Sequence, residues 1–135
     1  MVGGLDPIYG AALLDAYGPL LTERQREACA LVFDEDWSLS EAAGALGVSR
    51  ARAGALVGEA AHRLLSLEAR LHLVARQGAR LSLLQELGSL TEEGASPATL
   101  RDILARWRQI EDGWQEDGGP RAEPIMRSEG ADADV

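Results

Sequence analysis

The stretch TERQREACALVFDEDWSLSEAAGALGVSRARAGALVGEAAHRLL, residues 22–65, decides the fold. Inside it, Ser38 is followed three residues later by Glu41. That is a capping box: the hydroxyl accepts from a free backbone N–H of the first helical turn, and the carboxylate reaches back to the serine's own N–H. Leu39, Ala42, Ala43 and Leu46 follow at helical spacing as one apolar stripe. Gly47 stands where a left-handed residue closes a helix. After Val48, Ser49 can cap a second helix that begins at Arg50. A short helix, a glycine turn and a longer helix are the parts of a helix-turn-helix. A plain helical hairpin would use the same caps.

Upstream, Met1 to Asp6 reads as a loose end, and Pro7 can start a helix through Gly18 that buries Tyr9, Leu13 and Tyr17. Gly18-Pro19 stops it. Thr22 and Gln25 form another capping box. Ala28, Leu31 and Val32 make the buried face of the helix they open, while Arg24, Arg26 and Glu27 look outward. Cys29 reads as a small core hydrophobe, since no histidine lies near it to activate the thiol. Asp34-Glu35-Asp36 lacks the spacing and glycine of a calcium loop and reads as a solvated turn, with Trp37 packing on the core.

Downstream, the helix from Arg50 is long. Ala60, Leu64, Leu67, Leu71 and Val74 alternate spacings of four and three, as a coiled-coil seam does and as packing against the first helix would also require. Gly78 offers a break, after which Leu81, Leu84 and Leu87 carry an apolar face to Gly88. Residues 89–95 read as a linker. Ser96, with Pro97 at the first helical position, caps a last helix whose face is Leu100, Ile103, Leu104, Trp107 and Ile110. That face must dock on the domain, on a second copy in a homodimer, or on a partner. From Glu111 the period is lost and acids, glycine and proline dominate, which predicts a disordered tail, with Trp114, Ile125 and Met126 as a short-motif candidate within it. The expected organisation is all-α: a helix-turn-helix domain over residues 7–76 with an extended C-terminal helix, a helical extension over 77–111, and an acidic tail over 112–135.

Composition narrows the function. The chain has 135 residues, 46% of them hydrophobic, enough for one modest core. No segment approaches the roughly 20 apolar residues of a membrane span, and the first ten residues do not read as a signal peptide. A single cysteine fits a reducing cytoplasm. All 13 basic residues are arginine, and the net charge is −9. Glu111–Val135 holds eight acids and two arginines, so most of that negative charge sits in the tail. Tight binding of nucleic acid by the whole chain is disfavoured. No phosphate-binding glycine loop, nucleophile–base pair or metal cluster is legible, and His62 and His72 lack matching ligands, so neither an enzyme nor a cofactor is expected.

YGPLLTERQ (17–25), DEDWSLSEAAGALGVSR (34–50) and LLSLEARL (64–71) together resemble the YlxM family of small bacterial helix-turn-helix proteins. The resemblance covers about Tyr9 to Val74. Tyr17-Gly18, Thr22, Gln25, Ser38-Leu39, Glu41, Gly47, Ser49-Arg50, Glu68 and Leu71 fall on its pattern. Region four of sigma factors is similar between Leu21 and Arg63 but lacks the tyrosine-glycine lead-in and the Glu68-Leu71 continuation. The resemblance implies a regulatory role in the signal recognition particle pathway, with the particle's GTPase or its RNA as partner and weak DNA binding beside it. The alternative it leaves is a DNA-binding transcriptional regulator. The contact residues expected on either reading are Ser49, Arg50, Arg52 and Arg63. The chain departs from the family after Arg50: Ala51 to Glu59 supply no asparagine or glutamine to read adenine. Gly54 and Gly58 each cost about 1 kcal/mol of helix propensity, and their spacing would let another helix approach closely.

Overall fold

The structure is a computed structural model, and it describes residues 4–112. Every element in that range is helical. α1 spans Pro7–Tyr17, a 3-10 turn covers Gly18–Leu20, and α2 spans Glu23–Cys29 and runs on into a π turn at Ala30–Asp34. α3 is Leu39–Leu46, α4 is Arg50–Leu71, α5 is Leu73–Glu93 and α6 is Pro97–Asp112. The chain divides into two compact units, with the division between Leu71 and His72. His72 takes a left-handed φ of 55°, which ends the run of α4. The expected tail, including Trp114, Ile125 and Met126, lies outside the described residues apart from Asp112, which ends α6.

In the first unit each helix start is built by side chains close to it in sequence. Asp6 caps α1 by accepting from the Ile8 and Tyr9 amides at 3.1 and 3.2 Å, so the last residue of the expected loose end is tied down. Leu5 beside it is buried. The boxes at Thr22–Gln25 and Ser38–Glu41 are both closed in each direction. Gly47 has φ 71°, and Val48 N–H donates to the Ala43 carbonyl at 3.0 Å, a Schellman close that makes the sharp turn into α4.

α4 is the central element, packed on α1, α2 and α3. It buries Ala53, Leu56, Val57, Ala60, Ala61 and Leu64 against Leu13, Leu14 and Tyr17 of α1, Ala28 and Cys29 of α2, and Ala42 and Ala43 of α3. Small residues dominate the α3–α4 contact, which brings the two backbones close. Gly10 serves the same end on α1: a Cβ there would lie 2.7 Å from the Phe33 ring.

Several inward assignments differ from those expected. Tyr9 is 39% exposed, because α1 turns Gly10, Leu13, Leu14 and Tyr17 inward instead. Trp37 is 38% exposed, held by its backbone to the Leu31 carbonyl and not sunk in the core. The seam on α4 fails at its end: Leu67 is half-buried and Leu71 exposed, and the buried residue after Leu64 is Glu68. Its Oε1 accepts from the Tyr17 hydroxyl at 2.6 Å, linking α4 to α1 inside the core.

The second unit is the α5–α6 hairpin. α5 runs unbroken through Gly78 and across most of the expected linker, stopping at Gly94 with φ 86°. Ser96 caps α6 as expected, accepting from the Thr99 amide at 3.1 Å. Leu83, Ile103 and Ile110 are buried between the helices with Ala79, Leu87, Leu90 and Trp107 around them. Leu81, Leu84, Leu100 and Leu104, members of the expected apolar faces, are 42–52% exposed. Two ion pairs flank the contact: Arg80 with Glu111 at 2.8 and 3.2 Å, and Arg106 with Glu86 at 3.0 and 2.7 Å. Each arginine hydrogen bond holds its carboxylate below the usual range.

Candidate nucleic-acid interface

The turn at Gly47 delivers the chain to Ser49, and Ser49 starts the helix that a nucleic acid would meet. Its Oγ accepts from the Arg52 amide at 3.0 Å and its carbonyl from the Ala53 amide at 2.9 Å. Ser49 therefore acts as the cap. The remaining first-turn amides of a helix have no intrahelical acceptor and lie at the positive end of its dipole, so this end favours an anion.

Arg50, Arg52 and Arg63 are all exposed. The helix separates them. Arg52, Glu59, Arg63 and Arg70 are seven, four and seven residues apart and form one row along α4. At 1.5 Å per residue, Arg63 lies about 16 Å beyond Arg52 and Arg70 about 27 Å beyond it. Arg50 points to a different side of the first turn. Arg63 Nε lies 3.5 Å from the Leu20 carbonyl, which steers its side chain toward the 3-10 turn. Arg70, exposed at the end of the row, was missed in the sequence, although its seven-residue offset from Arg63 was the available signal.

Glu59 interrupts the positive row between Arg52 and Arg63, and no asparagine or glutamine lies on α4 to read adenine. Ala51 and Ala55 are exposed beside it, so the surface is smooth. The two glycines do not create a close helix approach: a Cβ at Gly54 would sit in ordinary contact with Leu39 at 3.6 Å, and one at Gly58 would meet nothing. Such a face can hold backbone phosphates, which carry no sequence information by themselves.

Other chemistry is scarce. Cys29 is fully buried, and burial first, then the nearby Asp34 charge, pushes its thiol up to about 12, so it is no nucleophile at neutral pH. Among the described residues, no group of three or more histidine, cysteine or acidic side chains could hold a metal ion. Within the same range, no helix is long and apolar enough to cross a membrane.

Residues 7–102 match the profile of UPF0122, described as "Putative helix-turn-helix protein, YlxM / p13 like". The match runs well past Val74, into α6. A UPF0122 protein of Symbiobacterium thermophilum is 42% identical over 95 residues, covering 70% of this chain and 89% of that protein. One from Halalkalibacterium halodurans is 33% identical over 92 residues, 68% of this chain and 84% of the other. A third, from Clostridium botulinum, is 39% identical over 69 residues, 51% of this chain and 63% of the other. The chain belongs to the UPF0122 family of YlxM/p13-like helix-turn-helix proteins.

Proposed function

We propose that the protein is a non-catalytic helix-turn-helix regulator in the signal recognition particle pathway, and that α4 binds the phosphate backbone of the particle's RNA. The observation that carries the binding mode is the row Arg52–Arg63–Arg70, supplemented by Arg50 at the capped first turn. It offers spaced guanidinium groups, a positive helix end and no asparagine or glutamine to read adenine. The pathway rests on the resemblance to the YlxM family. Ser49 contributes by holding the first turn in place.

The affinity is modest. Three or four phosphate contacts give a slope of log K against log salt of about −2 to −4 across single-stranded and duplex nucleic acid. The test is the variant Arg50→Glu, Arg52→Glu, Arg63→Glu, with binding to purified particle RNA and to purified GTPase measured beside thermal stability. The reading expects RNA binding to fall at least tenfold with the fold intact. Loss of GTPase binding alone moves the partner to an acidic protein surface. Unchanged binding to both removes the face from consideration. A nanomolar, sequence-selective complex with duplex DNA at physiological salt would restore the transcriptional-regulator reading. Deleting residues 113–135 should tighten RNA binding, since acids outnumber arginines there and repel phosphate.

A further inference from the structure

The α5–α6 hairpin leaves a leucine face uncovered. Leu73 and Leu84 of α5 are 44% and 50% exposed, and Leu100 and Leu104 of α6 are 42% and 52% exposed. Residues three, four, seven or eleven apart on a helix fall in one row. Arg80 therefore stands in the row of Leu73 and Leu84, and Glu111 in the row of Leu100 and Leu104. Arg80 and Glu111 are hydrogen-bonded to each other. The two leucine rows thus lie on the same side of the hairpin, and the Arg106–Glu86 pair marks the other side. Leu81, 47% exposed, is three residues from Leu84 and borders this face.

We propose that this face binds a second copy of the chain, hairpin on hairpin, as a four-helix bundle with its two-fold axis parallel to the helices. Two helices joined by three fully buried residues make a thin core, and a bundle of four is the regular way to cover such a face. The charges argue for a second copy. In an isologous interface one patch must complement itself. With the two-fold axis along the helices, α5 of one copy lies antiparallel beside α6 of the other, and heights are preserved. Arg80 of each copy then stands level with Glu111 of the other, so the four charges alternate in sign around the bundle. Laying α5 on α5 about a perpendicular axis at that level would instead set Arg80 against Arg80. Side-chain exposures of 28% for Arg80 and 41% for Glu111 leave both able to take a second partner. A charged layer in a bundle otherwise lined by leucine fixes register and orientation.

The experiment is the mass of the full chain in solution as a function of concentration, by light scattering and sedimentation equilibrium. The expected result is a species of about twice 14.4 kDa at tens of micromolar. Leu84→Ala with Leu104→Ala should raise the dimer dissociation constant by about 100-fold or more, because each truncation is made twice in the dimer. Both positions are half-exposed and alanine favours helix, so helical content should be kept. Leu65→Ala, on α4 and 40% exposed, is the matched control and should leave the constant unchanged. A wild-type chain that stays monomeric to several hundred micromolar overturns the proposal. So does a Leu65→Ala effect equal to that of the double change, or a dimer that ignores the double change.

Discussion

Replacing Tyr17 by phenylalanine removes one O–H from a buried carboxylate and leaves the ring packing in place. Tyr17 is 1% exposed and Glu68 7%, and the bond between them is 2.6 Å long. A hydrogen bond to a charged acceptor contributes about 1.5–3 kcal/mol net. The short distance and the lack of solvent access put this one in the upper half of that range, about 2–3 kcal/mol. For a unit of this size, each kcal/mol moves the midpoint by about 4–8 °C, so the expected fall is roughly 8–24 °C. Urea unfolding followed by circular dichroism, with hydrogen exchange of the α1 and α4 amides to localise the effect, is the assay. Glu68→Leu alone and together with Tyr17→Phe closes a double-mutant cycle, and the coupling between the two positions should be about 1 kcal/mol or more. If Tyr17→Phe alone costs less than about 0.5 kcal/mol, the bond does not hold α1 to α4 and the reasoning fails.

Gly10→Ala should lose about 1 kcal/mol net, since overpacking against Phe33 outweighs the gain in helix propensity, whereas Gly58→Ala, which meets nothing, should gain about 0.5–1 kcal/mol. Equal thermal shifts for the two would contradict the packing described. Gly47→Ala should cost about 1–2 kcal/mol for a Cβ in the left-handed region, and Gly47→Asn less, as read by denaturant midpoints. Cys29 should resist a thiol reagent at pH 8 until urea is added. Its thiol is raised to about 12 in the folded chain from an ordinary value of 9.0, so the stability it contributes is intact below about pH 9 and lost as pH rises toward 12. Cys29→Ala should flatten that part of the stability profile, and an unchanged profile counts against the buried thiol as its cause.

The caps were legible in the sequence because their chemistry is local. Thr22 with Gln25, Ser38 with Glu41, Ser49 and Ser96 each act on an amide three residues away, and Gly47 needs only its own left-handed φ, so a short window holds the whole interaction. Those signals placed four of the six helix starts and the turn between α3 and α4, and with the apolar stripes they determined the fold class. Tertiary structure decided which way each helix faces. Leu81, Leu83 and Leu84 look alike in sequence, and Leu83 alone turns inward, because the position of α6 selects the side of α5 that is covered. Glu68 reads as a surface acid until α1 brings the Tyr17 hydroxyl to it from 51 residues away. The glycine penalty at Gly78 is about 1 kcal/mol, small enough for packing along α5 to override, so the expected break never forms. The arginine row differs from these: helical spacing in the sequence already aligns Arg52, Arg63 and Arg70 and sets Arg50 apart. Tertiary structure decided only that all three are exposed and that Arg63 meets the Leu20 carbonyl, 43 residues away.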